Sequence, residues 1–199
     1  MIMFPKPSNC FVHYWAGKYP GRIGALYSPH YWSKPRFYFP YVLDNGCFTC
    51  WEPDEFVKML FKTRECHKPL WVCVPDVVGD AAATVELYET WASVVQAFGY
   101  NLAFVAQDGM EPSDVPTNAV ACFVGGTTDW KLENAHKFKG VRPWLHIGRV
   151  NTIKRLLWAK EIGADSIDGT GWFRGSVNNP KNRQFKDLFK YLEGFEWRP

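Results

Sequence analysis

The 199-residue sequence contains no apolar run approaching the roughly 18 residues that a membrane-spanning helix needs, so no membrane segment is expected. Its first residues reach Lys6 before any long apolar stretch, which argues against a secretory leader and places the expected location in the cytoplasm. An excess of one charge sign is also missing. The 23 basic residues stand against 20 acidic ones, a net +3, so no broad positive field announces nucleic acid and any such contact must be local. Cysteine is sparse and unpatterned. Cys10, Cys47, Cys50, Cys66, Cys73 and Cys122 read as reduced thiols, and Cys47-x-x-Cys50 is a solitary pair without a second CxxC or a histidine pattern. No metal and no cofactor are expected. Internal repeats, low-complexity tracts and linkers are absent too, so residues 1–199 are read as one domain.

Aromatic residues, by contrast, are abundant. Ten Trp, nine Tyr and fifteen Phe make up 17% of the chain, and flat rings both fill cores and stack on planar ligands. From Val42 onward short apolar runs alternate with amphipathic stretches, the pattern of βα units around a parallel sheet. Strands are expected at Phe11–Trp15, Tyr41–Leu43, Leu70–Val74, Leu102–Ala106, Val120–Val124, Trp144–Ile147 and Asp165–Ile167. Helical spacing relates Phe56, Val57, Leu60 and Phe61, then Ala81, Val85, Tyr88, Ala92 and Val95, and lastly Phe185, Leu188, Phe189 and Leu192. A further helix is expected from Thr152 to Ile162, capped by Asn151 and stopped by Gly163. Runs such as AVACFV and NLAFVA suit strands buried on both faces, in either a β/α barrel or a doubly wound sheet. Periodicity does not separate these two. The segment from Gly17 to Pro40 lacks a clear period, so a barrel would be reduced or irregular near its N-terminus.

Polar residues recur at the carboxyl ends of these strands, where parallel α/β folds build their sites. Tyr41–Leu43 is followed by Asp44-Asn45-Gly46, LWVCV by Pro75-Asp76, NLAFVA by Gln107-Asp108-Gly109, ACFV by Gly125-Gly126, PWLHI by Gly148-Arg149, and DSI by Asp168-Gly169. Singly, each is an ordinary turn or cap. Together, at one end of one sheet, they would converge on a single pocket. Convergent carboxylates suit chemistry at a glycosidic carbon, one attacking C1′ while another moves the proton of the leaving group. Gln and a Gly-Gly turn could meet the amide edge of a guanine-type base. His146, near a strand end, joins the candidates.

In order and spacing, this series resembles the tRNA-guanine transglycosylase superfamily, in kind closest to phage or bacterial relatives that insert 7-deazaguanines into DNA. LDNGCF (Leu43–Phe48) is similar to the family's DSGGF, which implies Asp44 as a catalytic acid or base. VPD (Val74–Asp76) falls where the family has its base-recognising Asp, and FVAQDG (Phe104–Gly109) resembles IVQGG, whose Gln binds the base; these imply Asp76 and Gln107. VGG (Val124–Gly126) stands where the family's glycines offer backbone N–H groups, which implies Gly125 and Gly126. The segment Arg142–Arg174 resembles RPxYLMGVG, a helix, then GxDxFD. It implies Asp168 as the nucleophile and includes Arg174 as a substrate-binding candidate. The resemblance implies a compact TIM-like (β/α) barrel and a pentosyltransferase that exchanges guanine for a 7-deazaguanine. The departures are informative. Cys47 replaces a family Gly, and no counterpart of the family's zinc cluster is present. Lys131 occupies the offset of a Glu that helps accept an aminomethyl base, which favours an uncharged 7-cyano-7-deazaguanine, while the missing zinc cluster and the missing tRNA-binding domains of archaeal members favour DNA over tRNA. A homodimer stays open. The competing expectations are an N-glycosidase on the same barrel, and a non-catalytic nucleic-acid binding module using the rings of His13–Trp32 with Lys34 and Arg36.

Overall fold

A computed structural model describes residues 1–7, 10–173 and 183–194. Eight strands form one parallel sheet: β1 (Ile2–Phe4), β2 (Ala25–Tyr27), β3 (Tyr41–Leu43), β4 (Val72–Cys73), β5 (Leu102–Ala106), β6 (Ala121–Val124), β7 (Trp144–Ile147) and β8 (Ser166–Asp168). Their spatial order is β1-β8-β7-β6-β5-β4-β3-β2. Neighbours in sequence are therefore neighbours in space, without the reversal of strand order that defines a doubly wound sheet. The edges meet: the Met3 N–H donates to the Arg22 carbonyl at 2.9 Å, Gly24 N–H to Met3 at 2.8 Å and Leu26 N–H to Pro5 at 3.0 Å. The result is a nearly closed (β/α) barrel.

The helices between strands are α1 (Cys10–Lys18), α2 (Pro53–Thr63), α3 (Ala81–Ala97), α4 (Thr128–Asn134) and α5 (Ile153–Glu161), with α6 (Arg183–Leu192) after β8. In α2, Pro53 opens the first turn and Phe56, Met59, Leu60 and Thr63 are buried at helical spacing. In α3, the Asp80 side chain accepts the Ala83 N–H at 3.0 Å, and Thr84, Tyr88, Ala92 and Val95 face inward. The β2–β3 and β5–β6 connections carry short 3-10 turns, Pro29–Tyr31 and Pro112–Asp114, in place of an α-helix. No helix among the described residues is long and apolar enough to cross a membrane.

Three sequence expectations need correction. Phe11–Trp15 lies within α1 rather than a strand, because Val12, Trp15 and Ala16 bury one face at intervals of three and four. Asn151 does not cap α5; Thr152 does, accepting the Arg155 N–H at 3.3 Å. And the strand count is eight, since the three-residue strands β1 and β2 are too short to show a period.

Alternation divides the core into two layers. Met3, Tyr27, Tyr41, Leu43, Phe104, Val124 and Ile147 point outward to the helices. Phe4, Leu26, Val42, Trp71, Cys73, Ala103, Val105 and Ala121 fill the barrel interior, with Phe123 and Trp144 packed against them. This inner plug is apolar and aromatic. It sets the floor on which everything at the carboxyl ends of the strands rests.

Candidate active site

The same alternation builds the site. One step of two beyond an interior residue, the side chain again faces inward but now at the barrel mouth: Phe4 leads to Lys6, Leu26 to Ser28, Val42 to Asp44, Val105 to Gln107, Phe123 to Gly125 and Ser166 to Asp168. Lys6, Ser28, Asp44, Gln107, Gly125 and Asp168 all line one cavity of about 320 Å³, together with Asn45, Asp76, Tyr31, Phe48, Arg149 and Asn151. The volume is that of a small-ligand pocket, and its walls are mostly apolar.

Asp44, Asp76 and Asp168 therefore share one pocket, each from a different strand end. Burial, then the negative charges of Asp76 and Asp168, push the Asp44 carboxyl up to about 7. Asp76 is almost wholly buried. Its Oδ1 accepts the Asn45 amide at 2.7 Å and its Oδ2 the Gln107 amide at 2.6 Å. Burial pushes it up to about 6, against the opposing pull of those donors and of the Arg149 charge. Asn45 also donates to the Val74 carbonyl at 2.9 Å and accepts the Cys47 N–H at 2.9 Å, while Gln107 Oε1 accepts the Gly79 N–H at 3.0 Å. This amide–carboxylate–amide clamp presents a fixed edge to the cavity, and each carboxylate oxygen keeps a second lone pair.

Asp168 is held differently. Its Oδ1 accepts the Arg149 backbone N–H at 3.0 Å, and its Oδ2 lies 3.1 Å from His146 Nε2. Arg149 takes up a left-handed backbone, φ 60°, the one non-glycine to do so among the described residues. Its guanidinium donates to the carbonyls of Gly125, at 2.7 Å, and Gly126, and lies over the Phe48 ring at 4.8 Å. Beneath this turn the buried Lys131 Nζ donates to the Gly148 carbonyl at 2.6 Å, and burial lowers the ammonium to about 8.

The remaining candidates are placed differently. Gly125 lines the cavity but Gly126 does not, and neither has an N–H to offer a ligand: both donate to the Ala106 carbonyl, at 2.9 and 3.3 Å, continuing the β5–β6 ladder into the turn. Glycine at position 125 answers a packing need instead, since a Cβ there would stand 2.6 Å from Val105 Cγ1 and 3.1 Å from Gln107 Nε2. His146 is fully buried under Asp168 and does not reach the cavity. Lys131 likewise sits behind the wall rather than in it. Arg174 lies outside the described residues.

Asn45, Arg149, Lys6 and Tyr31 also line the cavity without being among the sequence candidates. Lys6 Nζ stands 3.8 Å from the centroid of the Tyr31 ring at the rim. Its signal was the two-residue step from Phe4, invisible without β1. Asn45 and Arg149 stood in view at strand ends but read as turn residues. Cys47 and Cys50 are free thiols, and burial raises the Cys47 thiol to about 12, so it is not poised as a thiolate. Among the described residues no group of three or more His, Cys, Asp or Glu side chains is placed to hold a metal ion. Compared with known proteins, the chain matches no family model and no curated sequence, so the functional reading rests on this cavity and its three carboxylates.

Proposed function

We propose that the chain is a base-exchanging transglycosylase that replaces guanine in nucleic acid, DNA in preference to tRNA, with a 7-deazaguanine such as 7-cyano-7-deazaguanine. The observation that carries the reading is the convergence of Asp44, Asp76 and Asp168 on one aromatic-walled cavity of about 320 Å³. Phe4, Phe48 and Phe123 offer ring surface to a planar base, and stacking on aromatic faces contributes roughly 1–3 kcal/mol per base.

In this reading Asp168 attacks C1′ of the nucleotide and the glycosidic bond to the base breaks. Asp44, protonated in part near neutrality because its carboxyl is raised to about 7, gives its proton to the departing guanine. The sugar is then esterified to Asp168. The incoming base loses a proton to the Asp44 carboxylate and attacks C1′ from the vacated face, breaking the ester and freeing Asp168. Two inversions give net retention. Asp76 and Gln107 read the Watson–Crick edge of the base, the carboxylate accepting from ring and exocyclic N–H groups and the amide donating to the carbonyl.

The test is incubation of the chain with DNA and, separately, tRNA in the presence of isotopically labelled guanine or 7-cyano-7-deazaguanine, followed by nucleoside mass spectrometry. Label in the polymer is the expected result. Release of guanine without incorporation would make the chain an N-glycosidase, and binding without either would make it a binding module.

A further inference from the structure

We propose that His146 is a positioning residue for Asp168: as the neutral ring with its proton on Nε2, it donates to Asp168 Oδ2 and fixes the orientation of that carboxylate toward the cavity. The direction of the hydrogen bonds follows from counting donors. Trp144 Nε1 can only donate, so Ser166 Oγ, at 2.7 Å, accepts from it. Oγ has a second lone pair, so it is the carboxylate that fixes the direction: Asp168 Oδ2 can only accept, so His146 Nε2 donates to it, and Nδ1 is left to accept the Ser166 hydroxyl proton, also at 2.7 Å. A neutral imidazole whose Nδ1 accepts carries its single proton on Nε2, and that nitrogen faces Asp168 Oδ2 at 3.1 Å.

The surroundings select the neutral ring. His146 has no exposed surface, and the rings of Phe123, Trp71 and Phe4 have centroids 4.4, 5.1 and 6.2 Å from its own. Burial is the larger influence and lowers its basicity, the Lys131 charge acts in the same sense, and Asp168 opposes both. The ladder fixes the components in place, since His146 and Ser166 are register partners on β7 and β8 and Asp168 is two residues further along β8.

A carboxylate needs such help because its terminal torsion is broad, with no sharp preference of its own. At Asp168 the Arg149 N–H takes Oδ1 and His146 takes Oδ2, so both oxygens are pinned in one plane while each keeps a lone pair for the cavity. The consequence for rate rests on Asp168 being the nucleophile, as proposed above; the direction of the hydrogen bond does not.

Nitrogen-15 NMR of histidine-labelled protein at neutral pH reads the tautomer directly, with the His146 signal assigned by its loss in His146→Gln. Protonated Nε2 with bare Nδ1 is expected. His146→Gln retains a donor near Nε2 and should keep both the Arg149 N to Asp168 Oδ1 contact in a crystal structure and a kcat within about threefold, whereas His146→Leu should lower kcat by about 10- to 100-fold at unchanged KM, the cost of a misaligned reacting group. A proton on Nδ1, or a doubly protonated ring, overturns the proposal with no variant required. So does a His146→Leu protein whose Asp168 keeps its orientation. A wild-type chain that exchanges no base, yet has the expected tautomer and loses the Asp168 orientation in His146→Leu, brings down the transglycosylase reading and leaves this inference standing.

Discussion

The two sides of the barrel mouth treat their carboxylates in opposite ways. On the β3–β5 side, Asp44 and Asp76 are both pushed up, to about 7 and about 6, chiefly by burial, with the charges of Asp76 and Asp168 adding to it at Asp44 and two buried amides opposing it at Asp76. On the β6–β8 side, Asp168 is met by a backbone N–H and an imidazole, and the guanidinium of Arg149 straps the adjoining turn to Gly125 and Gly126. In the proposed reaction the first side would carry protons and read an edge, and the second would hold the attacking group still. The difference teaches that three identical side chains at equivalent strand ends acquire separate chemistry from their burial, the charges around them and the donors that meet each one.

The sharpest break of that contrast is Asp168→Asn, which keeps the shape and removes the charge. Exchange should fall by about four orders of magnitude or more, as for loss of a nucleophile, while calorimetry finds base binding nearly unchanged. Peptide mapping after denaturation should recover the sugar adduct of the wild-type chain on Asp168; an adduct on Asp44 would reverse the two roles.

Asp44→Asn tests the other side and should cost less, about 10²- to 10⁴-fold, because proton transfer is assisted rather than abolished. Its pH signature has a definite sign. Departure of guanine needs the protonated acid, so kcat/KM for the nucleic acid should decline as pH rises through about 7, and that limb should vanish in Asp44→Asn. A limb that survives the substitution assigns the proton to another group.

Next in size are Asp76→Ala and Gln107→Ala, each of which opens the clamp that ties β3, β4 and β5 together. Either should weaken binding of guanine and of 7-deazaguanine by roughly 1–3 kcal/mol, the usual cost of an unmet buried polar group. Unchanged affinity would remove both residues from base recognition.

The smallest effect is on stability. A carboxyl whose folded value is raised above its unfolded one contributes stability fully below the unfolded value and loses it as pH rises through the folded value. For Asp44 that window runs from 3.8 to about 7. Asp44→Asn mimics the protonated form at every pH, so it should match the wild type near pH 4 and exceed it at pH 8 by roughly 1–2 kcal/mol, after discounting for solvent at the cavity face. Thermal melts at the two pH values measure this as a gain of several degrees.

Much of this was legible in residue order. The uninterrupted apolar run Leu102–Ala106 and its sequel Gln107 needed no structure to be read as a buried strand with a polar tip, and the same holds for Tyr41–Leu43 with Asp44. The FVHYW run misled because a short apolar stretch fits either period, and only the buried face of Val12, Trp15 and Ala16 decides for a helix. The Gly-Gly turn misled in another way. Its composition suggests exposed N–H groups, but the Ala106 carbonyl, one strand away, had already taken them.

The sequence by itself determined the parallel α/β class, the strand ends that carry polar groups, and the candidacy of Asp44, Asp76, Gln107 and Asp168, since all of these follow from local periodicity and neighbours along the chain. Tertiary structure alone decided that the sheet curls until β1 meets β2, that Asn45 clamps Asp76 across 31 residues, and that His146 lies under Asp168 across 22. The physical reason is range. A side chain's alternation is set by the two-residue repeat of its own strand, whereas the donor that meets it is set by the register between strands, which exists only once the barrel has formed.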